Sequence, residues 1–272
     1  MMNETRYPEL DALRGVAVLL MVSYHLAFDL QYFYGWPVLR SLGEGGNIPV
    51  EEGIWKILAR AAATVFLLLI GICFAISWER TRRQLAVGSW PLALRHCYSK
   101  YLRRGLVIFA GGMIISLATW FIAPDAFVKF GVLHLIGIST LLLPFFTPLK
   151  QWNLLFVLLV LFVFFVLPKQ TSSPFFFPLG LTIPTFSSLD YFPLLPWFGV
   201  ILFGMVLGNA LYVPERHAML TRLSFLPAPR SAMVQRAWRG VGWTGRRSLW
   251  IYFVHQPVLL LLLGLVFGMP MK

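Results

Sequence analysis

The sequence predicts an all-α integral membrane protein, a polytopic helical bundle of about seven transmembrane helices with its N-terminus in the cytoplasm. Three observations predict it. The 272 residues are 58% hydrophobic and only 12% charged, with a mean hydropathy of +0.73; a soluble domain is about a quarter charged. Too few polar residues remain to cover a soluble globule, which argues against a soluble enzyme, a nucleic-acid-binding domain or a disordered tail. Apolar runs recur at the length of about 20 residues that a bilayer requires. Basic residues are sorted to alternate connections, as the positive-inside rule demands.

The first span, 13–33, follows Arg6 and Arg14. It has no small-residue cleavage site and carries His25 and Asp29, so it reads as a permanent helix and not as a cleaved signal. The second, 54–78, leads into the first basic segment: Arg80, Arg82, Arg83, Arg95, Lys100, Arg103 and Arg104. The third, 104–122, passes through a short outer connection to the fourth, 128–147, which is broken by glycines and ends at Pro144 and Pro148. Lys150 marks the return to the cytoplasm, and the fifth span, 153–168, is short but almost wholly apolar. The outer loop 169–193 is rich in Pro and Phe and is expected to pack on the outer mouth as a lid. The sixth span, 194–212, precedes the second basic segment: Arg216, Arg222, Arg230, Arg236, Arg239, Arg246 and Arg247. The seventh, 248–268, takes the C-terminus outside.

Seventeen of the 23 Lys and Arg residues then lie on the cytoplasmic side. The other six, Arg40, Lys56, Arg60, Lys129, Lys169 and Lys272, lie outside or in the outer part of a span. Trp and Tyr residues, among them Trp36, Trp55, Trp120, Trp152 and Trp250, sit near span ends as an interfacial belt. The net charge of +12 is therefore mainly topology, and no nucleic acid is needed as a partner. Without an internal repeat, residues 1–272 read as a single transmembrane domain surrounded by lipid.

Ionisable groups inside a span are expensive and by default mark a functional site. His25 and Asp29 are four residues apart and share a helix face. The carboxylate could orient the ring and support its charged form, which would make His25 a general base. The structural alternative is polar glue between helices. In GRRSLWIYFVHQPVLLL, one stripe carries Ser248, Tyr252 and His255, and Pro257 should kink the helix near Phe253. His255 is a candidate catalytic residue, and Tyr252 a candidate substrate contact. His134, in FGVLHLIGIST, and Asp190, in the outer loop, are further candidate substrate contacts. Their alternatives are a satisfied interior histidine and a helix cap. Arg14, Arg103, Arg104, Arg246 and Arg247 share one cytoplasmic depth and could bind a phosphorylated cofactor, though lipid headgroups would also suit them. Cys73 and Cys97 lie in different environments without metal-ligand spacing, so neither a disulfide nor a metal site is expected. The pairs Gly204/Gly208 and Gly264/Gly268 have the spacing that lets helices approach closely, and would also suit a homodimer.

The opening RYPELDALRGVAVLLMVSYHLAFDL, with Arg6, Asp11, Arg14 and Gly15 in a D-x-x-R-G entry to the first span, resembles the integral-membrane acyltransferases. It is most similar to the bacterial DUF1624 proteins, grouped with the heparan-alpha-glucosaminide N-acetyltransferase catalytic domain. FGVLHLIGIS, SLDYFPLLPWFGVILFGMVLG and GRRSLWIYFVHQPVL extend the resemblance through most of the chain. It implies an acetyl group taken from cytoplasmic acetyl-CoA, or another acyl-CoA, and delivered to a sugar or glycan acceptor across a bacterial inner membrane with the help of a buried histidine. The lysosomal branch carries that histidine in its first outer segment; here LQYFYGWPV has none, and His25 suits the role instead. Read without the resemblance, the same buried His/Asp pair would also serve a proton-coupled transporter or a small-solute-binding membrane protein.

Overall fold

The computed structural model describes residues 7–35, 53–85, 88–213 and 232–268; Arg6, Trp36, Arg40, Arg216, Arg222, Arg230 and Lys272 lie outside them. The described chain is helical throughout, with two isolated bridges and no strand among the described residues. In order come α1 (Pro8–Tyr34), α2 (Gly53–Gln84), α3 (Trp90–Ile122), α4 (Val132–Phe146), a 3-10 turn (Thr147–Trp152), α5 (Asn153–Val166), a second 3-10 turn (Pro174–Leu179), α6 (Leu194–Leu211), α7 (Ala232–Arg246) and α8 (Ser248–Phe267). Among the described residues, six stretches are long and apolar enough to cross a membrane: the helices α1, α2, α3, α6 and α8, and the run Val132–Val166 that joins α4 to α5.

Residues Met1–Phe66 with Ser224–Lys272 form one compact unit, and Leu67–Leu223 form the other. In the first unit, α1 starts with Pro8 in its first turn, where φ is already helical and the missing N–H goes unnoticed. It stops at Gly35, whose φ of 63° lets its N–H reach the carbonyls of Gln31 and Leu30. Gly15 and Gly245 bring α1 and α7 into backbone contact: a Cβ on Gly15 would lie 2.0 Å from the Val241 carbonyl oxygen, and one on Gly245 would lie 1.8 Å from that of Asp11. Further along, the Tyr34 hydroxyl donates to the Gly268 carbonyl at 3.2 Å. The start of α1 thus lies by the chain entering α8, and the two C-terminal ends lie together, so α1 and α8 run parallel. Pro257 sits inside α8, which continues through it from Ser248 to Phe267. The amphipathic α7 falls in a segment that the sequence reading had treated as a cytoplasmic loop.

In the second unit the same device recurs. A Cβ on Gly71 would meet the Ile201 carbonyl oxygen at 1.9 Å, and one on Gly204 would meet that of Leu68 at 2.2 Å, so α2 and α6 pack backbone to backbone. Gly105 and Gly137 do the same for α3 and α4. Gly208 faces Ala75 and Ile72, whereas Gly264 has nothing within 4 Å to pack against.

The expected fourth and fifth spans come out as two short helices around the turn Thr147–Trp152, where Lys150 has φ 46° and Asn153 Nδ2 donates to the Phe146 and Lys150 carbonyls. The loop after α5 returns to the segment before α4. Leu189 N–H donates to the Ala126 carbonyl at 2.7 Å, and Phe192 N–H to that of Phe130 at 2.9 Å. The chain therefore reverses at the Thr147–Trp152 turn.

Candidate functional site

Two helices of the first unit carry four polar side chains toward each other. From α1 come His25 and, one turn on, Asp29; from α8 come His255 and Gln256. The two imidazole rings meet edge to face, with centroids 4.9 Å apart and planes at 73°. His25 Nδ1 lies 2.9 Å from the Met21 carbonyl oxygen, one turn back on its own helix. His255 Nδ1 lies 2.8 Å from the Tyr252 carbonyl and 3.1 Å from that of Ile251. A carbonyl only accepts, so Nδ1 carries a proton in both rings, and in the neutral form of each ring Nε2 holds the lone pair. His255 Nε2 is buried and has no hydrogen-bond partner among the described residues. The Tyr252 ring is 5.7 Å from that of His255.

Asp29 is fully buried, at 0% exposure. Its two oxygens accept from Gln256 Nε2 at 2.8 and 3.0 Å. The expectation that Asp29 orients His25 is corrected here: the carboxylate is held by α8, and the His25 ring is held by its own backbone. Helical spacing puts the two residues on one face, but the amide of Gln256 reaches the carboxylate and Met21 O reaches the ring. Sequence reasoning passed over Gln256. Its only signal was its place between His255 and Pro257, and its partner lies 227 residues away.

At the other end of α1, Asp11 and Arg14 of the D-x-x-R-G opening form an ion pair at 3.1 Å. The Gly15–Gly245 contact sets Arg14 and Arg246 at one level, each beside a contacting glycine. Arg246 and Arg247 are exposed, and the Arg247 guanidinium stacks 4.3 Å above the Trp243 ring.

His134 and Asp190 belong to the second unit. His134, 2% exposed, accepts the Gly131 N–H on Nδ1 at 3.2 Å, which leaves Nε2 protonated and 3.4 Å from Ser116 Oγ. Phe130 stacks on the ring and Phe109 meets it edge-on. Asp190 Oδ2 accepts the Val132 N–H at 3.0 Å, so it caps α4 from the far side of the outer loop. Arg103 and Arg104 are exposed on α3.

The outer loop and the segment before α4 also line a half-open cavity of about 290 Å³, with Phe127, Lys129, Phe177, Ile183, Thr185 and Phe186 among its walls. Lys129 Nζ donates to the Asp125 and Ser187 carbonyls and lies 4.5 Å from the Phe127 ring centre. Burial holds the Lys129 ammonium below its usual range. The Tyr191 hydroxyl, pushed by burial up to about 12, stays protonated and donates to the Phe177 carbonyl at 2.7 Å. Among the described residues, no three His, Cys, Asp or Glu side chains group as metal ligands. Among the described residues, neither Cys73 nor Cys97 forms a disulfide.

Comparison with known proteins adds one match. The family described as heparan-alpha-glucosaminide N-acetyltransferase, catalytic, matches residues 6–257. No curated protein and no solved structure gives a match. The matched range begins at the arginine before the D-x-x-R-G opening and ends just past the His255–Gln256 pair, so it takes in both faces of the histidine contact. The chain is a helical integral membrane protein, and it belongs to the heparan-alpha-glucosaminide N-acetyltransferase catalytic family.

Proposed function

We propose that the chain transfers an acyl group, acetyl above all, from acyl-CoA on the cytoplasmic side to a hydroxyl or amine of a sugar or glycan acceptor on the other side. The N-terminus is cytoplasmic and the lipid is that of a bacterial inner membrane. The observation that carries the reading is the contact between His25 and His255. Each ring commits Nδ1 to a backbone carbonyl and keeps Nε2 as a base. On His255 that nitrogen is buried with no partner among the described residues.

A lone-pair nitrogen withdrawn from water and left unpaired is costly as structure and useful as a base. One histidine Nε2 takes the acceptor's proton while the acceptor's nitrogen or oxygen bonds to the acyl carbon. The carbon–sulfur bond breaks, and CoA leaves as a thiolate that the imidazolium can protonate. Carrying the acyl group transiently on one Nε2 would split the same transfer into two steps. Tyr252, beside His255, can donate a hydrogen bond to the charge that develops on the carbonyl oxygen.

Acyl-CoA is a polyanion. Arg14, Arg246 and Arg247, at the end of α1 and α7 where the chain enters α8, fit its phosphates; Arg103 and Arg104, on α3 of the second unit, are a separate pair of exposed guanidiniums. The cavity in the outer loop is of a size for one sugar ring. Aromatic walls, the Thr185 hydroxyl and Lys129 supply its contacts. In this reading Asp190 and His134 hold the segment that builds one wall of that cavity.

The test is transfer from labelled acetyl-CoA to a panel of amino sugars and glycan fragments by purified protein. Wild type should transfer. His25→Ala and His255→Ala should each lose on the order of a hundredfold or more, the usual worth of a positioned base. Equal behaviour of wild type and His25→Ala, with neither transfer nor CoA binding, would overturn the reading. So would pH-driven solute uptake into proteoliposomes without CoA.

A further inference from the structure

Besides the Tyr34–Gly268 hydrogen bond at their C-terminal ends, helices α1 and α8 touch through two polar contacts that differ in kind. The His25–His255 contact joins two rings edge to face with no hydrogen bond between them. The Asp29–Gln256 contact, one turn further along α1 and one residue further along α8, is a hydrogen-bonded clasp on a fully buried carboxylate. No arginine or lysine lies within ion-pair distance of Asp29 among the described residues. A buried carboxylate held only by a neutral amide is a weak source of stability, but a strong constraint on geometry. Sliding α8 by one residue, about 1.5 Å along the axis and about 100° around it, would leave the carboxylate without its donor. The ring contact supplies no such constraint. Five buried polar side-chain atoms lack a partner among the described residues, and two of them, His255 Nε2 and Gln256 Oε1, sit on consecutive residues of α8. The clasp is therefore built beside atoms left open, where a ligand would be met.

We propose that Gln256 is a positioning residue: by clasping both oxygens of Asp29 it sets the height and rotation of α8 against α1, and so places the His255 ring on that of His25. The proposal rests on the acyl-transfer reading of the histidine pair. It gives Asp29 a part in assembling the pair in place of any direct part in proton transfer.

The test uses an isosteric exchange. Gln256→Glu sets two carboxylates against each other, and Gln256→Leu removes the donor at similar size. Asp29→Asn combined with Gln256→Glu restores an amide–carboxylate clasp with its ends reversed. Both single changes at Gln256 should lower kcat about a hundredfold with KM for acetyl-CoA unchanged, the scale expected when a base is misplaced by about 1 Å. The exchanged double variant should return to within a few fold of wild type. The ring resonances of His25 and His255, followed by NMR on labelled protein, should shift in Gln256→Leu and return in the exchange.

An exchange variant as slow as Gln256→Glu, but melting like wild type, would overturn the proposal, since the carboxylate would then be needed on α1 itself. Unaltered kcat in Gln256→Leu would also overturn it. If wild type transfers nothing, the acyl-transfer reading fails by itself. The histidine resonances and melting temperatures of the same four variants then decide the clasp: recovery in the exchange supports it, and no recovery overturns it.

Discussion

Three histidines inside apolar helices look alike in the sequence and differ in what their ring nitrogens meet. His134 has both nitrogens occupied, by the Gly131 N–H and by Ser116 Oγ, between two phenylalanine rings. His25 and His255 each have only Nδ1 bound to backbone. The expected consequence is opposite phenotypes. His134→Ala leaves the buried Gly131 N–H without its acceptor and should cost about 1–3 kcal/mol. It should be read as a lower melting temperature in detergent, with kcat of the folded fraction near wild type. His255→Ala removes no partner from any donor, so it should keep its melting temperature and lose transfer. A His134→Ala protein that melts normally but transfers nothing would reverse these assignments. The rarity of ionisable groups in apolar runs was enough to single out these residues. What separates a base from a helix lock is a partner 3 residues away at Gly131 and one 18 residues away at Ser116, as Asp29 finds its own 227 residues away at Gln256, and such pairings come from packing.

At the scale of elements, glycine sets the close approaches. Gly15 and Gly245 join α1 to α7, Gly71 and Gly204 join α2 to α6, and Gly105 and Gly137 join α3 to α4. The Asp11–Arg14 ion pair and the Gly15 contact show what the D-x-x-R-G opening does locally: it fixes the start of α1 against α7. Gly15→Val and Gly245→Val should each destabilise by roughly 1–3 kcal/mol or prevent folding, since their side chains would enter backbone. Gly264→Ala, with nothing within 4 Å, should be neutral or slightly stabilising as a glycine removed from a helix interior. Thermal melting of the three variants checks both statements. The spacing of Gly204 and Gly208 was legible as a packing signal, but at Gly264 and Gly268 the same spacing would set a Cβ against nothing within 4 Å among the described residues. α7 was legible only in hindsight, from apolar positions Val234, Ala237, Trp238 and Val241 at helical spacing. Its high charge hides it from any search for apolar runs.

For the whole molecule the question is how many times the chain crosses. Length and composition give six stretches because α4 and α5 adjoin in one apolar run. Two observations, each inside one unit, favour an odd count. Helices α1 and α8 run parallel, and an even number of passes would set the first and last antiparallel. The chain also reverses between α4 and α5, returning the outer loop to the segment before α4. Single cysteines placed at Lys150 and Lys169 in a cysteine-free background should therefore be labelled from opposite sides, Lys150→Cys from the cytoplasm. Labelling of both from one side would contradict the expected seven-pass arrangement.

What the sequence by itself determined was the solvent of this protein. That follows from summed transfer free energies, which depend on composition and order along the chain. It also singled out His25, Asp29 and His255, because an ionisable group in an apolar run is conspicuous without any fold. The tertiary structure alone decided the pairings. Asp29 turned from its helical neighbour to Gln256, His255 came to face His25, and Asp190 capped α4 and not the helix that follows it. A hydrogen bond requires about 3 Å and a favourable angle, and only the packing of one helix on another brings residues so distant in sequence within that reach.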